Sequence, residues 1–232
     1  MSNKQTPAEP DYSARGGEPF EWARAGGKGQ LYIISGPSGS GKDTLLERLF
    51  WAYPMLEFSI SSVTRNPRAG EVPGEKYQFI SRELFSQMLD KGEFLEYNEY
   101  LGNLYGSPKQ PVLDAIEQGK DVVLEVDVNG AAKIREIMPD CVSIFIMPPS
   151  LGVLEERLVG RSTEDTDAAK LRLKAALNEI ARASEYDYIV INGDLNEATN
   201  SLASIIMSHK LRVSHQKYMI DEVLKDAESL HW

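Results

Sequence analysis

The chain has 232 residues with 35 acidic and 25 basic side chains, a formal charge of -10. That length suits one sizeable α/β domain with insertions and is too short for two large independent ones. The acidic balance argues against an electrostatic grip on nucleic acid, so an anionic ligand must meet a local cluster of arginines. A single cysteine excludes a disulfide framework within the chain, and no stretch is apolar for long enough to span a bilayer.

Residues 1–29 are rich in Pro, Gly, Ala and charge and lack the hydrophobic stretch of a secretion signal, which predicts a flexible extension on a cytoplasmic protein; Phe20 and Trp22 stand out within it. Residues 31–34 are a continuous apolar run and predict a buried strand. The loop that follows, Gly36-Pro37-Ser38-Gly39-Ser40-Gly41-Lys42, is a phosphate cradle. Its three glycines let the backbone N–H groups of the loop, Ser38 and Ser40 among them, turn inward, and Lys42 reaches the outer phosphates of a nucleoside triphosphate. A helix over 44–51 begins at Thr44, so the cradle sits at a helix N-terminus. Asp43 stands where a Ser or Thr hydroxyl ordinarily holds magnesium.

Residues 58–110 differ in texture, with short alternating runs, glycines and mixed aromatic and charged residues, and predict a small inserted subdomain. Within it Arg65 and Arg68 flank Asn66-Pro67, two guanidinium forks on a stiffened turn suited to an oxyanion. Tyr77 can add a phenolic hydroxyl or pack as a strand aromatic. Residues 81–91 predict a short helix closed by Gly92. Glu96 and Ser107 are of the types that a guanine edge requires, a carboxylate for its N–H groups and a hydroxyl for its oxygen.

Apolar runs at 122–127, 142–147 and 188–191 predict further strands, alternating with helices over 111–117, 130–138, 151–158, 167–183 and 195–209, the pattern of a parallel sheet flanked by helices. Alternation along 122–127 places Glu125 and Asp127 on one face at the strand's C-terminal end, where ligands of open α/β sheets gather and where either acid can hold metal-bound water or orient arginines. Cys141, against the third run, reads as a buried small hydrophobe. Arg157, Arg161 and Arg172 bracket a polar segment, 160–167, able to move as a lid. His209, His215 and His231 have no cysteine partners, which leaves a zinc site without support. The tail beyond residue 209 is apolar enough to pack as a further helix, over the core or between subunits.

With these motifs in place the chain resembles guanylate kinase from about residue 30 to about residue 207. The likeness rests on Ser-Gly-Pro-Ser-Gly-Ser-Gly-Lys (35–42), Thr-Arg-Asn-Pro-Arg-Ala-Gly-Glu (64–71), Gly-Glu-Phe-Leu-Glu-Tyr (92–97), Gly-Asn-Leu-Tyr-Gly-Ser (102–107), Leu-Glu-Val-Asp-Val-Asn-Gly (124–130) and Ile-Val-Ile-Asn-Gly-Asp-Leu (189–195). The resemblance implies a P-loop core over 30–57, 111–151 and 176–210, a GMP-binding subdomain over 58–110, a lid over 152–175 and a helical tail over 211–232. It assigns Ser61, Arg65, Arg68, Tyr77 and Tyr105 to the GMP phosphate, and Glu96 and Ser107 to guanine, with Glu125 and Asp127 counted in the GMP site. Gly36, Ser38, Gly39, Ser40, Gly41, Lys42, Asp43, Thr44 and Asn192 fall to ATP, with Asn192 near the adenine, and Arg157, Arg161 and Arg172 surround the phosphates. The implied reaction moves the ATP γ-phosphoryl group to GMP with Mg²⁺, in a monomer or homodimer that binds neither nucleic acid nor membrane. Ser162 replaces the glycine usual after the lid arginine. Asp43 is the larger departure: it can take over magnesium contact or weaken ATP binding by repulsion. A non-catalytic scaffold of the same fold, or a sugar-phosphate kinase similar to ribose bisphosphate phosphokinase, are the alternatives.

Overall fold

The computed structural model describes residues 28–159 and 166–228. Residues 1–27, residues 160–165 with Arg161 and Ser162, and residues 229–232 with His231 lie outside the described residues. In chain order the elements are β1 (Leu31–Ser35), α1 (Lys42–Ala52), β2 (Glu57–Phe58), β3 (Ser61–Val63), β4 (Tyr77–Phe79), α2 (Arg82–Asp90), β5 (Phe94–Tyr100), β6 (Asn103–Pro108), α3 (Lys109–Glu117), β7 (Val122–Glu125), α4 (Val128–Ile137), β8 (Val142–Met147), α5 (Leu151–Val159), α6 (Thr166–Ile180), β9 (Tyr188–Ile191), α7 (Leu195–Lys210) and α8 (Val213–Glu228).

The strands make two sheets. Five form a parallel sheet in the order β2-β7-β1-β8-β9, with Ile33 beside Leu124 and Ile34 beside Ile144. Side chains alternate across β1, so Tyr32 and Ile34 pack with Leu45, Leu49, Leu202 and Ile206 on one face, and Leu31 and Ile33 with Val112, Ala131 and Ile134 on the other. Coverage on both faces explains why the central strands β1, β7 and β8 read as unbroken apolar runs. Leu31, Ile33 and Ile34 are at most 1% exposed, and each such side chain contributes about 1.5–3 kcal/mol by leaving water. The short edge strand β2 had no counterpart in the apolar runs.

The second sheet, β4-β3-β6-β5, lies entirely between residues 61 and 108. Phe85 of α2 is fully buried and stacks on Phe94, the ring centroids 4.4 Å apart, while Ser81 caps α2 through the Leu84 N–H. The β5–β6 hairpin turns through Leu101 and Gly102, both at positive φ, 48° and 74°. A two-residue turn with two positive φ values matches the right-handed twist of its strands but strains a leucine, which here is 80% exposed and gains nothing by packing. Leu101→Asn is expected to raise stability by about 1 kcal/mol in urea denaturation, with no change in slope.

Two expectations are corrected. β7 ends at Glu125, and Asp127 does not share its strand face: its carboxylate caps α4, accepting from the N–H groups of Asn129 (2.9 Å) and Gly130 (2.7 Å). The tail does form a helix, α8, but Val213, Ile220, Val223 and Leu224 are 47 to 71% exposed, so it does not cover the core. Cys141 is buried as expected, and burial pushes its thiol up to about 11, well away from thiolate chemistry. Among the described residues no helix is long and apolar enough to cross a membrane.

Candidate active site

The C-terminal ends of β1 and β7 open into a cleft of about 640 Å³ whose other wall is the inserted sheet. On the core side the chain leaves β1 into the cradle, with Gly36, Gly39 and Gly41 at φ 150°, 84° and 84°. At Gly41 a Cβ would stand 2.5 Å from the Asn192 amide nitrogen, so the loop's path depends on that residue having no side chain. Lys42 is the first residue of α1; its ammonium donates to the carbonyls of Gly36 (2.5 Å) and Pro37 (3.1 Å). Burial pushes Lys42 below its ordinary range, against the pull of Glu125, Glu179 and Asp43. Ser38 and Asp43 line the cleft, Ser40 is buried, and Thr44 is exposed on α1.

Asn192 packs behind the cradle, 5% exposed, its amide donating to the Ser40 carbonyl at 2.8 Å. Arg157 of α5 donates to the Ser40 and Asn192 carbonyls at 3.3 to 3.4 Å, tying α5 to the same loop. Arg172 is exposed on α6 and does not line the cleft. Glu179, further along α6, does line it; nothing in the local sequence marked this acid.

Across the cleft Arg65 holds Glu71 through both guanidinium ends, at 2.6 and 2.7 Å, donates to the Tyr105 hydroxyl at 3.1 Å and lies over the Tyr77 ring at 5.1 Å. Hydrogen bonding from Arg65 and from the Arg68 N–H holds the Glu71 carboxyl down at about 2. The two arginines expected to act alike therefore differ: Arg65 is braced within the wall, and the Arg68 side chain is exposed along the cleft, with Ser61 and Tyr77 nearby in its lining. Burial raises the Tyr77 phenol above its ordinary value.

Deeper in the inserted sheet, register pairs Glu96 on β5 with Ser107 on β6, and the Ser107 hydroxyl donates to Glu96 Oε1 at 2.6 Å. Both are buried. Desolvation raises the Glu96 carboxyl above 4.5, opposed by the Ser107 hydrogen bond and assisted by the charge of Asp127. Asn98, two residues along β5 and on the same face, donates to the Asp127 carboxylate and joins the cleft lining, an acid-binding amide that no motif had flagged. Lys76, the residue before β4, pairs with Asp43 and lies 2.9 Å from Glu125 Oε2. Among the described residues no three His, Cys, Asp or Glu side chains gather as a metal cluster.

A glycine-rich cradle closed by a lysine at the end of a central parallel strand, facing a second sheet across one cleft, defines a nucleotide phosphotransferase of the P-loop class. The guanylate kinase family pattern matches residues 28–209. The chain is 43% identical over 199 residues to a guanylate kinase of Clostridioides difficile, covering 86% of this chain and 97% of that one, and 47% identical over 179 residues to a guanylate kinase of a Synechocystis strain, covering 77% and 94%. Its backbone is similar to the crystal structure of guanylate kinase from Anaplasma phagocytophilum, with a TM-score of 0.67 at 32% identity over 82% of this chain and 91% of that one. The chain belongs to the guanylate kinase family.

Proposed function

We propose that the protein transfers the γ-phosphoryl group of ATP to the phosphate of GMP, giving ADP and GDP. The observation that carries this reading is one cavity lined both by Lys42 of the cradle and by the buried Glu96, so donor and acceptor sites share a single space. In this reading Glu96 accepts from the guanine ring N–H and exocyclic amine while the Ser107 hydroxyl fixes its orientation. AMP offers no ring proton there and would leave a buried carboxylate with the Ser107 hydroxyl as its remaining donor. Arg68, Ser61, Tyr77 and Tyr105 would receive the acceptor phosphate, with Arg65 holding Tyr105 in place.

No general base is required, since an ionised phosphate is already nucleophilic. The chain's task is to align two anions, offset their repulsion and exclude water as the lid closes. Lys42 follows the charge that moves onto the donor phosphates; Arg157, Arg161 and Arg172 would add to it from the lid. The acidic oxygens of Asp43 and Glu125, gathered about one compact cation, are the hard donors that Mg²⁺ takes, and these two residues would hold it. When bound, that ion offsets triphosphate charge.

A coupled assay of ADP formation tests the reading. GMP is expected to be phosphorylated and AMP to be a poor acceptor. GMP binding without GDP, magnesium and ATP being supplied, would instead make the chain a non-catalytic scaffold.

A further inference from the structure

Lys76 joins the two walls of the cleft. It belongs to the inserted sheet, where its carbonyl accepts from the Ser61 N–H at 3.2 Å, yet its ammonium reaches the core. There it pairs with Asp43 in the first turn of α1 and with Glu125 at the end of β7, 2.9 Å from Oε2. The Glu125 side chain is only 16% exposed, and its Oε2 accepts no well-directed hydrogen bond, so charge contact with Lys76 is what answers that oxygen. Residue 43 is also where this chain departs from the hydroxyl expected after the cradle lysine. The departure adds one negative charge beside Glu125, and Lys76 adds one positive charge between the two.

Two carboxylates that share one ammonium can equally share one hard divalent cation, but not both at once, because the same oxygens would face two cations a bond length apart. We propose that Lys76 and the divalent cation are alternative occupants of the Asp43–Glu125 pair, so that metal loading requires Lys76 to withdraw. Lys76 is then a positioning residue: it sets metal affinity and, because it is anchored in the inserted sheet, links metal loading to the contact between the two walls. The inference rests on the assignment of Asp43 and Glu125 to the metal made above.

Mn²⁺, titrated into the full chain without nucleotide and followed by its paramagnetic resonance signal, tests the exchange. Lys76→Met is expected to bind Mn²⁺ about tenfold more tightly than the unaltered chain, since a competing cation is gone. The gain should vanish in Lys76→Met combined with Asp43→Asn, and Lys76→Arg should keep the weaker affinity. Lys133→Met removes a cation of α4 that donates to the Tyr97 carbonyl instead, and is expected to change the affinity less than twofold. Lys76→Gln serves where the methionine variant folds poorly, with the same gain expected. Equal affinity with and without Lys76, an equal gain from Lys133→Met, or a gain that survives Asp43→Asn would each overturn the proposal. GMP phosphorylation by the unaltered chain is measured separately: its presence beside an unchanged Mn²⁺ affinity sinks the exchange alone, and its absence sinks the reading beneath it.

Discussion

Lys42→Met is expected to lower turnover of ATP and GMP by about 10³-fold while leaving the fold intact. The position of this lysine is dictated by the cradle itself: it starts α1, and its ammonium is held by the Gly36 and Pro37 carbonyls of the same loop. Its value to the reaction lies in charge that shifts onto the donor phosphates as the bond breaks, which a methionine of similar length cannot follow. Stability should move the other way. Burial depresses the Lys42 ammonium, so holding it charged costs folding energy wherever the pH is below its unfolded value, and an uncharged side chain removes that cost. Steady-state kinetics with circular-dichroism melting separates the two effects. A variant that keeps its activity removes Lys42 from the reaction, and one that loses activity only by unfolding leaves its role purely structural.

The parts of the molecule that were plain in the sequence are those where burial or backbone geometry forces a local pattern. β1, β7 and β8 stood out because the sheet is covered on both faces there, β9 only as an apolar run whose Tyr188, Ile189 and Ile191 stay exposed, and the cradle because three positive-φ positions in a row of six residues demand glycine. β2, with two residues at a sheet edge, has no period to detect. Asp127 was assigned to a strand face by alternation, yet Asp-Val-Asn-Gly carries a helix N-cap, and the cap won because it satisfies two first-turn N–H groups that have no partner within α4. The Arg65–Glu71 clamp and the Lys76 bridge to Asp43 and Glu125 were invisible for a different reason. Ion pairs leave no periodic trace, whether six residues apart, as Arg65 and Glu71 are, or 33, as Asp43 and Lys76 are. The same holds for Glu179, which enters the cleft only because α6 runs past the cradle. For α8 the apolar spacing announced a helix but said nothing of a partner for its face. Local chemistry thus named many of the residues that line the cleft, while the ion pairs behind them needed the tertiary structure.

Glu96→Gln should reduce kcat/KM for GMP by about 10²-fold and reduce discrimination against inosine monophosphate, which lacks the exocyclic amine. The substituted amide turns one acceptor into a donor that faces the donors of guanine, losing a charge-assisted hydrogen bond worth about 1.5–3 kcal/mol and adding a mismatch in a buried pocket. The site's own geometry leaves no easy repair. Glu96 Oε1 is taken by Ser107 at 2.6 Å, and a Cβ on Gly130 would come within 2.9 Å of Oε2, so the carboxylate is confined on both sides. The pH dependence follows from the raised Glu96 pKa. Protonation removes the acceptor, so KM for GMP should begin to climb, as pH falls, above the ordinary carboxyl value of 4.5, and this acid limb should be missing in the glutamine variant. For folding the sign is reversed: a carboxyl with a folded pKa above its unfolded one stabilises the native state below the unfolded value, and that contribution is lost as pH rises through the folded one. At neutral pH the charged Glu96 is therefore a cost, and Glu96→Gln should melt at the same temperature or higher. Unchanged KM for GMP, or an acid limb that persists in the variant, would move guanine recognition away from Glu96 and onto the Asn98–Asp127 pair that lines the same cleft.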